Sequence, residues 1–308
     1  MHPPEEATPD LRTTLVRLSD SFSLEVTPKD AHKIGRFAGH LPPGTSVYVT
    51  FLTNTSFADT VEVARRLAAD GMRPVPHLAA RALRDKRHLD EKLATLTGEA
   101  GVEEVLLIAG SLPSPVGDFD ATIQVLRTGC LERRGICRVG VAGHPEGTPS
   151  ISDQDLRQAL KEKNEFAAES PMEMYLLTQF CFAPEPVVAW ERQIRADGNH
   201  LPVHVGLPGL ASPVTLLKFG LSCGVGPSLN VLRKQTRSIV KLATSVAYHP
   251  DPTMVGVARA ASSDPRATFR RFHFFPFGAL VRTARWAEAI AESRFTLDRA
   301  TDRIEVHQ

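Results

Sequence analysis

Several polar side chains in this chain sit where an apolar run ends. Glu25 lies inside SLEVT, Thr50 follows SVYV, and His77 stands within RPVPHLA. Further along, His144 opens the turn HPEG, and Gln179 follows Thr178 at the start of QFCF. A carboxylate in an apolar run is costly unless it has a partner or a task. Burial there is expected to raise the pKa of Glu25, which suits a proton donor near neutral pH. A structural reading stands beside this one, with Glu25 paired to an Arg or Lys from elsewhere. His77 also reads as a hydrogen-bonded histidine at a strand end, and Gln179 as a group that satisfies backbone. HPEG has the composition of a loop. With no second His at helical spacing, it is not expected to bind metal.

These residues need elements to hold them. Eight short runs read as strands: 21–27, 45–51, 73–79, 104–110, 137–143, 173–180, 202–208 and 269–277. Most are nearly continuous Val, Ile, Leu or Phe, the pattern of parallel strands buried on both faces. Between them lie helical patterns. Residues 57–71 place Val61, Ala64, Leu67 and Ala68 on one face, with Ser56 or Asp59 as the cap and Gly71 as the stop. Residues 118–129, 152–168 and 184–198 read the same way, the last with proline at its start and glycine at its end. The gap before the eighth run is much longer than the others. It holds a long amphipathic pattern over 229–249 and a second segment near 252–262, and 279–294 reads as the last helix.

Eight strands, each followed by a helix, predict an α/β fold, a single-domain (β/α)₈ TIM barrel over 16–308. Residues 1–15, beginning with an acidic, proline-rich stretch, are expected to be a disordered lead-in. In such a barrel, catalytic groups sit at the C-terminal ends of the strands, where Glu25, Thr50 and His77 fall. The runner-up is an open doubly wound sheet. The GVGPS at 224–228 is too weak to argue for it, because it lacks G-x-G-x-x-G after a strand.

Composition narrows the function classes. The chain has 308 residues, 42% apolar, with 36 basic against 35 acidic side chains and a net charge of +1. That balance gives no general attraction for nucleic acid or acidic membranes. No apolar run reaches membrane-spanning length, and the N-terminus does not read as a signal or transit peptide. Cys130, Cys137, Cys181 and Cys223 form no C-x-x-C pair and no zinc-finger spacing. They are expected to be ordinary buried thiols in a reduced, cytoplasmic protein. The long segment between the seventh and eighth strands is a candidate surface for a homo-oligomer.

Taken in order, six segments resemble methylenetetrahydrofolate reductase, a flavin-dependent barrel enzyme. SLEVTPK (23–29) resembles its S-F-E-F-F-P-P-K, VYVTF (47–51) its V-S-V-T-Y, and PHLAA (76–80) its P-H-L-T-C. GHPEGTP (143–149) is similar to Y-P-E-x-H-P, TQFCF (178–182) to T-Q-F-F-F, and FHFFPF (272–277) to F-H-F-Y-T-L. The matches span nearly the whole chain. The resemblance implies that Glu25 is the acid that opens the folate's five-membered ring, that Gln179 hydrogen-bonds the pterin, and that Phe219 stacks on the folate or on nicotinamide. It sets Ser111, Thr215 and Phe275 on the folate side. It sets Thr50, His77, Ala109, Gly110 and His144 on the FAD side, with Asp155 and Lys163 at the flavin's ribose and phosphates.

The chain also departs from the family. Where strand four usually ends in R-G-D, supplying an arginine for the flavin phosphates and an aspartate near its ring, this chain has Ala109-Gly110-Ser111. The family's tyrosine at strand five is Gly143, the histidine of the next turn is Thr148, and a glutamine of the folate-binding helix is Thr215. Three readings follow from the resemblance. One is reduction of 5,10-methylenetetrahydrofolate by NAD(P)H through bound FAD, or the reverse oxidation. Another is a flavin-independent reductase on the same barrel. The third is a folate-binding protein without redox chemistry.

Overall fold

The computed structural model describes residues 10–53, 55–149, 151–222 and 247–307. Eight parallel strands close into a barrel in chain order: β1 Ser23–Val26, β2 Ser46–Val49, β3 Arg73–Ala79, β4 Glu104–Ile108, β5 Arg138–Gly143, β6 Glu173–Thr178, β7 Val203–Pro208 and β8 Phe269–Phe275. Ser23 of β1 pairs with His273 of β8, which closes the ring. Each strand lies within an apolar run predicted from the sequence.

The helices are α1 Leu11–Ser19, α2 Pro28–Ala31, α3 Phe57–Ala69, α4 Lys86–Ala100, α5 Thr122–Leu126, α6 Cys130–Arg133, α7 Asp153–Glu169, α8 Pro184–Ala196, α9 Pro213–Ser222, α10 Asp251–Ser263 and α11 Leu280–Ala291. Ser56 and Asp59 share the cap of α3 rather than competing for it: Ser56 is the N-cap and Asp59 answers it in a capping box. The pattern over 118–129 yields only α5, because Gly129 turns left-handed at φ 66° and α6 starts anew. Helix α4 was not among the predicted helices, yet it buries Leu89, Leu93, Leu96 and Ala100 along one face. Helix α7 is the odd one out: its 17 residues include none that is fully buried. Among the described residues, no helix is long and apolar enough to cross a membrane.

Four expectations change. The lead-in expected over 1–15 gives way at Leu11 to α1, capped by Asp10, which buries Leu15 and Leu18 against the barrel wall. Each such leucine contributes roughly 1.5–3 kcal/mol, enough to order the segment. Residues 1–9 lie outside the described residues, as does most of the predicted 229–249 helix with GVGPS and Cys223. Ala247–His249, the end of that pattern, are not helical. Beyond α11 the chain forms an antiparallel hairpin, β9 Phe295–Asp298 with β10 Arg303–Val306, which the strand count did not include. The Asp251 carboxylate holds it by accepting the backbone N–H of Ile304 at 3.0 Å. Finally, Cys130 and Cys181 are buried thiols, but Cys137 is exposed.

The barrel interior is unusually polar toward its N-terminal end. The Tyr48 and Tyr175 hydroxyls lie 2.5 Å apart. Tyr175 donates to Glu104 Oε1 at 2.6 Å, so the Tyr48 hydroxyl is left to donate to Tyr175. Arg138 approaches the other Glu104 oxygen at 3.4 Å. Burial first, then Glu104 for Tyr48 and the Tyr48 phenol followed by Glu104 for Tyr175, push both phenols up, so they stay protonated. Gly140 makes the room: a Cβ there would meet the Tyr175 ring at 2.7 Å. Gly140→Ala is therefore expected to cost about 1–3 kcal/mol of stability through overpacking, read as a lower urea midpoint at unchanged slope.

Candidate functional site

The site forms at the C-terminal mouth, around Glu25. Strand β1 stops just beyond Glu25 because Thr27 caps α2 and Pro28 fills its first turn. Thr50, just past β2, is tied to the same strand end by its N–H on the Val26 carbonyl at 3.0 Å. From there its hydroxyl donates to Glu25 Oε1 at 2.7 Å. The other oxygen, Oε2, lies 3.6 Å from Nε2 of His77 on β3 and 3.7 Å from Nε2 of His273 on β8. Those separations are ion-pair distances outside hydrogen-bond reach, and all three atoms are buried with no hydrogen-bond partner among the described residues. The Glu25 side chain is 12% exposed. His273 is fixed from behind, with Nδ1 2.9 Å from the Ser23 hydroxyl.

This arrangement corrects the expected direction of the Glu25 pKa. Burial pushes the carboxyl up, but His77, His273 and Thr50 together outweigh it and hold it below its ordinary value. Burial also lowers both imidazoles, against the pull of the carboxylate. The substrate-free site is thus an ionised carboxylate between two neutral imidazoles at neutral pH. Among the described residues its ion-pair partners are His77 and His273, with no Arg or Lys.

From this acid the site continues into aromatic rings. The His273 ring is 4.8 Å from Phe275, edge-on, and Phe275 is 6.3 Å from Phe277. Phe277, held at a positive φ of 47°, stacks on Phe219 at 4.7 Å. A non-glycine residue in that region carries strain of order 1–3 kcal/mol, and such outliers cluster at binding sites. Gln179 sits beside Phe275 across Gly206. A Cβ at Gly206 would meet the Phe275 ring at 2.9 Å and the Gln179 carbonyl carbon at 3.1 Å. Glu25, Thr50, His77, Gln179, Phe275 and Phe219 therefore share one mouth.

Other predicted residues lie differently. Thr215 bonds Ser212 at 2.8 Å in the first turn of α9, and Asp155 accepts from the Ser152 hydroxyl at 2.7 Å at the start of α7. Both are helix-end interactions. Ala109, Gly110 and Ser111 lead into a loop pinned by Arg81, whose N–H reaches the Ala109 carbonyl and whose guanidinium pairs with Asp120 at 2.9 Å. Gly110, at φ 91°, lies against Ala79. Ser111 is exposed. His273 and its Ser23 partner were missed as site residues. The signal was present, since a histidine inside FRRFHFF, like a glutamate inside SLEVT, is a polar group that needs a partner when buried.

His144 and Lys163 form a second polar group between β5 and α7. Burial and the nearby Lys163 bring His144 down to about 4, and burial brings Lys163 down to about 8. The unfolded chain therefore binds more protons between pH 6.5 and 4, so His144 makes stability fall as pH drops through that window. His144→Gln is expected to flatten this acid limb relative to the parent, measured as melting temperature against pH.

Of the residues assigned to FAD, Lys163 is thus the one cation, with His144 neutral. Trp190 of α8 closes the space over Gly143, where a Cβ would lie 2.8 Å from its ring. A dinucleotide with two phosphates and a flavin ring is not matched by this set. Among the described residues, no group of three or more His, Cys, Asp or Glu could hold a metal ion.

No family model matches the chain. Among solved structures it is similar to a GH18 chitinase from Pseudoalteromonas aurantia, at 14% identity over 88% of this chain and 99% of that one, with a TM-score of 0.48. It is also similar to a putative lyase/mutase from Burkholderia cenocepacia J2315, at 12% identity over 92% and 86% of the two chains, TM-score 0.46. A third is a deoxyribose phosphate aldolase from Aeropyrum pernix, at 11% identity over 91% and 98%, TM-score 0.48. At these values the likenesses carry no argument about chemistry.

Proposed function

We propose that the barrel mouth reduces 5,10-methylenetetrahydrofolate to 5-methyltetrahydrofolate, with hydride passing directly from NAD(P)H. The observation that carries the reading is the buried Glu25 carboxylate, held by Thr50 between two imidazoles and running into the Phe275–Phe277–Phe219 rings. The rings suit a flat pterin and a nicotinamide, which stack on aromatic faces. Gln179 offers its Nε2 to the pterin edge, since its Oε1 accepts the Phe180 N–H at 3.1 Å.

The folate N10 is a poor leaving group until it is protonated. Glu25 takes up a proton as the bound folate excludes water and adds to its burial, and hands that proton to N10. The N10–methylene bond breaks, leaving an iminium at N5. Hydride adds to the iminium carbon and gives the methyl group. One NAD(P)H and one proton are consumed. The chain's own part is to orient the two rings and to deliver the proton.

The test is NAD(P)H oxidation by the purified chain. Oxidation that depends on methylenetetrahydrofolate, by protein without flavin absorbance, is the expected result. Folate binding without turnover would instead favour the non-catalytic binding protein. Turnover only after added FAD would return the flavin to the scheme.

A further inference from the structure

We propose that His77 recharges Glu25 with protons drawn through a side cavity in the barrel wall, so that protons and folate enter by different routes. His77 lines a cavity of about 100 Å³ with Phe51, Thr55, Phe57, Ala82 and Lys92, between the chain after β2 and the chain after β3. That is room for about three waters. The Lys92 ammonium stands over the Phe57 ring at 3.6 Å within this cavity. His77 is placed to connect cavity and carboxylate, because its Nε2 lies 3.6 Å from Glu25 Oε2 and the residue lines the cavity. His273 cannot serve in the same way. It is fully buried, and Ser23 occupies its other nitrogen.

The need arises from the proposed reaction, on which this inference rests. Each turnover removes one proton from Glu25 while bound folate covers the mouth. A solvent proton carried by cavity water first adds to His77 Nδ1, and the imidazolium so formed passes its Nε2 proton to Glu25 Oε2, which restores the acid and leaves His77 neutral. The charged and titratable groups facing His77 are Glu25 on β1, Tyr48 on β2 with its ring 6.2 Å away, His273 on β8, and Lys92 across the cavity. His77 acts through Glu25 and is a positioning residue.

His77→Gln should lower kcat at least ~10-fold with the folate KM within about twofold, and should shift the acid limb of the kcat–pH profile. Ala82→Leu fills the cavity without removing a proton carrier, and should lower kcat in the same direction. In His77→Ala, added imidazole should restore part of kcat. An Ala82→Leu variant with parental kcat and pH profile, or a His77→Gln effect confined to KM, would overturn the proposal. Titration of the full-length, ¹⁵N-histidine-labelled protein by NMR separates this inference from the proposed reaction. If the parent protein does not reduce methylenetetrahydrofolate, the reaction is wrong. A His77 titration displaced by Glu25→Gln still supports the proton link, and one left unmoved refutes it.

Discussion

Glu25→Gln is expected to lower folate turnover at least ~100-fold, the low end of what a positioned acid contributes. Gln keeps the size of the side chain and the acceptor for Thr50, whose hydroxyl lies 2.7 Å from Oε1. What it removes is the proton and the negative charge between His77 and His273. The loss should therefore fall on kcat more than on folate affinity. Binding of nicotinamide alone should change little, because that step needs no proton on N10. Steady-state kinetics with methylenetetrahydrofolate measures the first effect, and NADH fluorescence titration the second. Folate reduction at near-parental rate would end the assignment of Glu25 as the acid.

The second large effect concerns stability at the opposite end of the barrel. Glu104 is 5% exposed at the start of β4 and is the acceptor on which Tyr175, and through it Tyr48, depends. Glu104→Ala leaves two buried hydroxyls and Arg138 without their carboxylate. Breaking a buried charged pair from one side costs about 3–5 kcal/mol. The lower figure is expected, because Arg138 is partly exposed and keeps Glu173 at 3.0 Å. Glu104→Gln keeps an acceptor and should cost less. Chemical denaturation of the two variants measures the difference, and equal midpoints would show that the network adds nothing. The N-terminal end of a barrel is the usual place for groups that serve stability. Tyr48 links the two ends, since its ring packs 4.6 Å from His273.

The strands were legible because burial on both faces writes nearly unbroken apolar runs. Glu25 was legible for the same reason, as a charge where none is tolerated without cause. The direction of its pKa was not. Burial can be read along one strand, but the imidazoles that oppose it come from β3 and β8, and only closure of the ring brings them to one oxygen. Glu104 was hidden by its place: a glutamate that opens a strand looks like a solvated end, and Tyr48 and Tyr175 look like ordinary core. Helix α1 and the terminal hairpin were missed because they are short, although Leu11, Leu15 and Leu18 recur at helical spacing and FTLD and RIEV alternate. Their burial comes from docking onto the barrel, which a short pattern does not announce.

Helix α7 has a consequence for how the molecule breathes. Leu160, Phe166 and Ala167 pack on the core only partly buried, so α7 is anchored more lightly than β5, which it follows. Local opening free energies span from near zero to the global value, and lightly anchored units open first. The amide protons of Asp153–Glu169 should thus exchange with solvent deuterium well before those of β5 and β6 on either side. The barrel would keep its ring of strands closed while this one stave comes and goes.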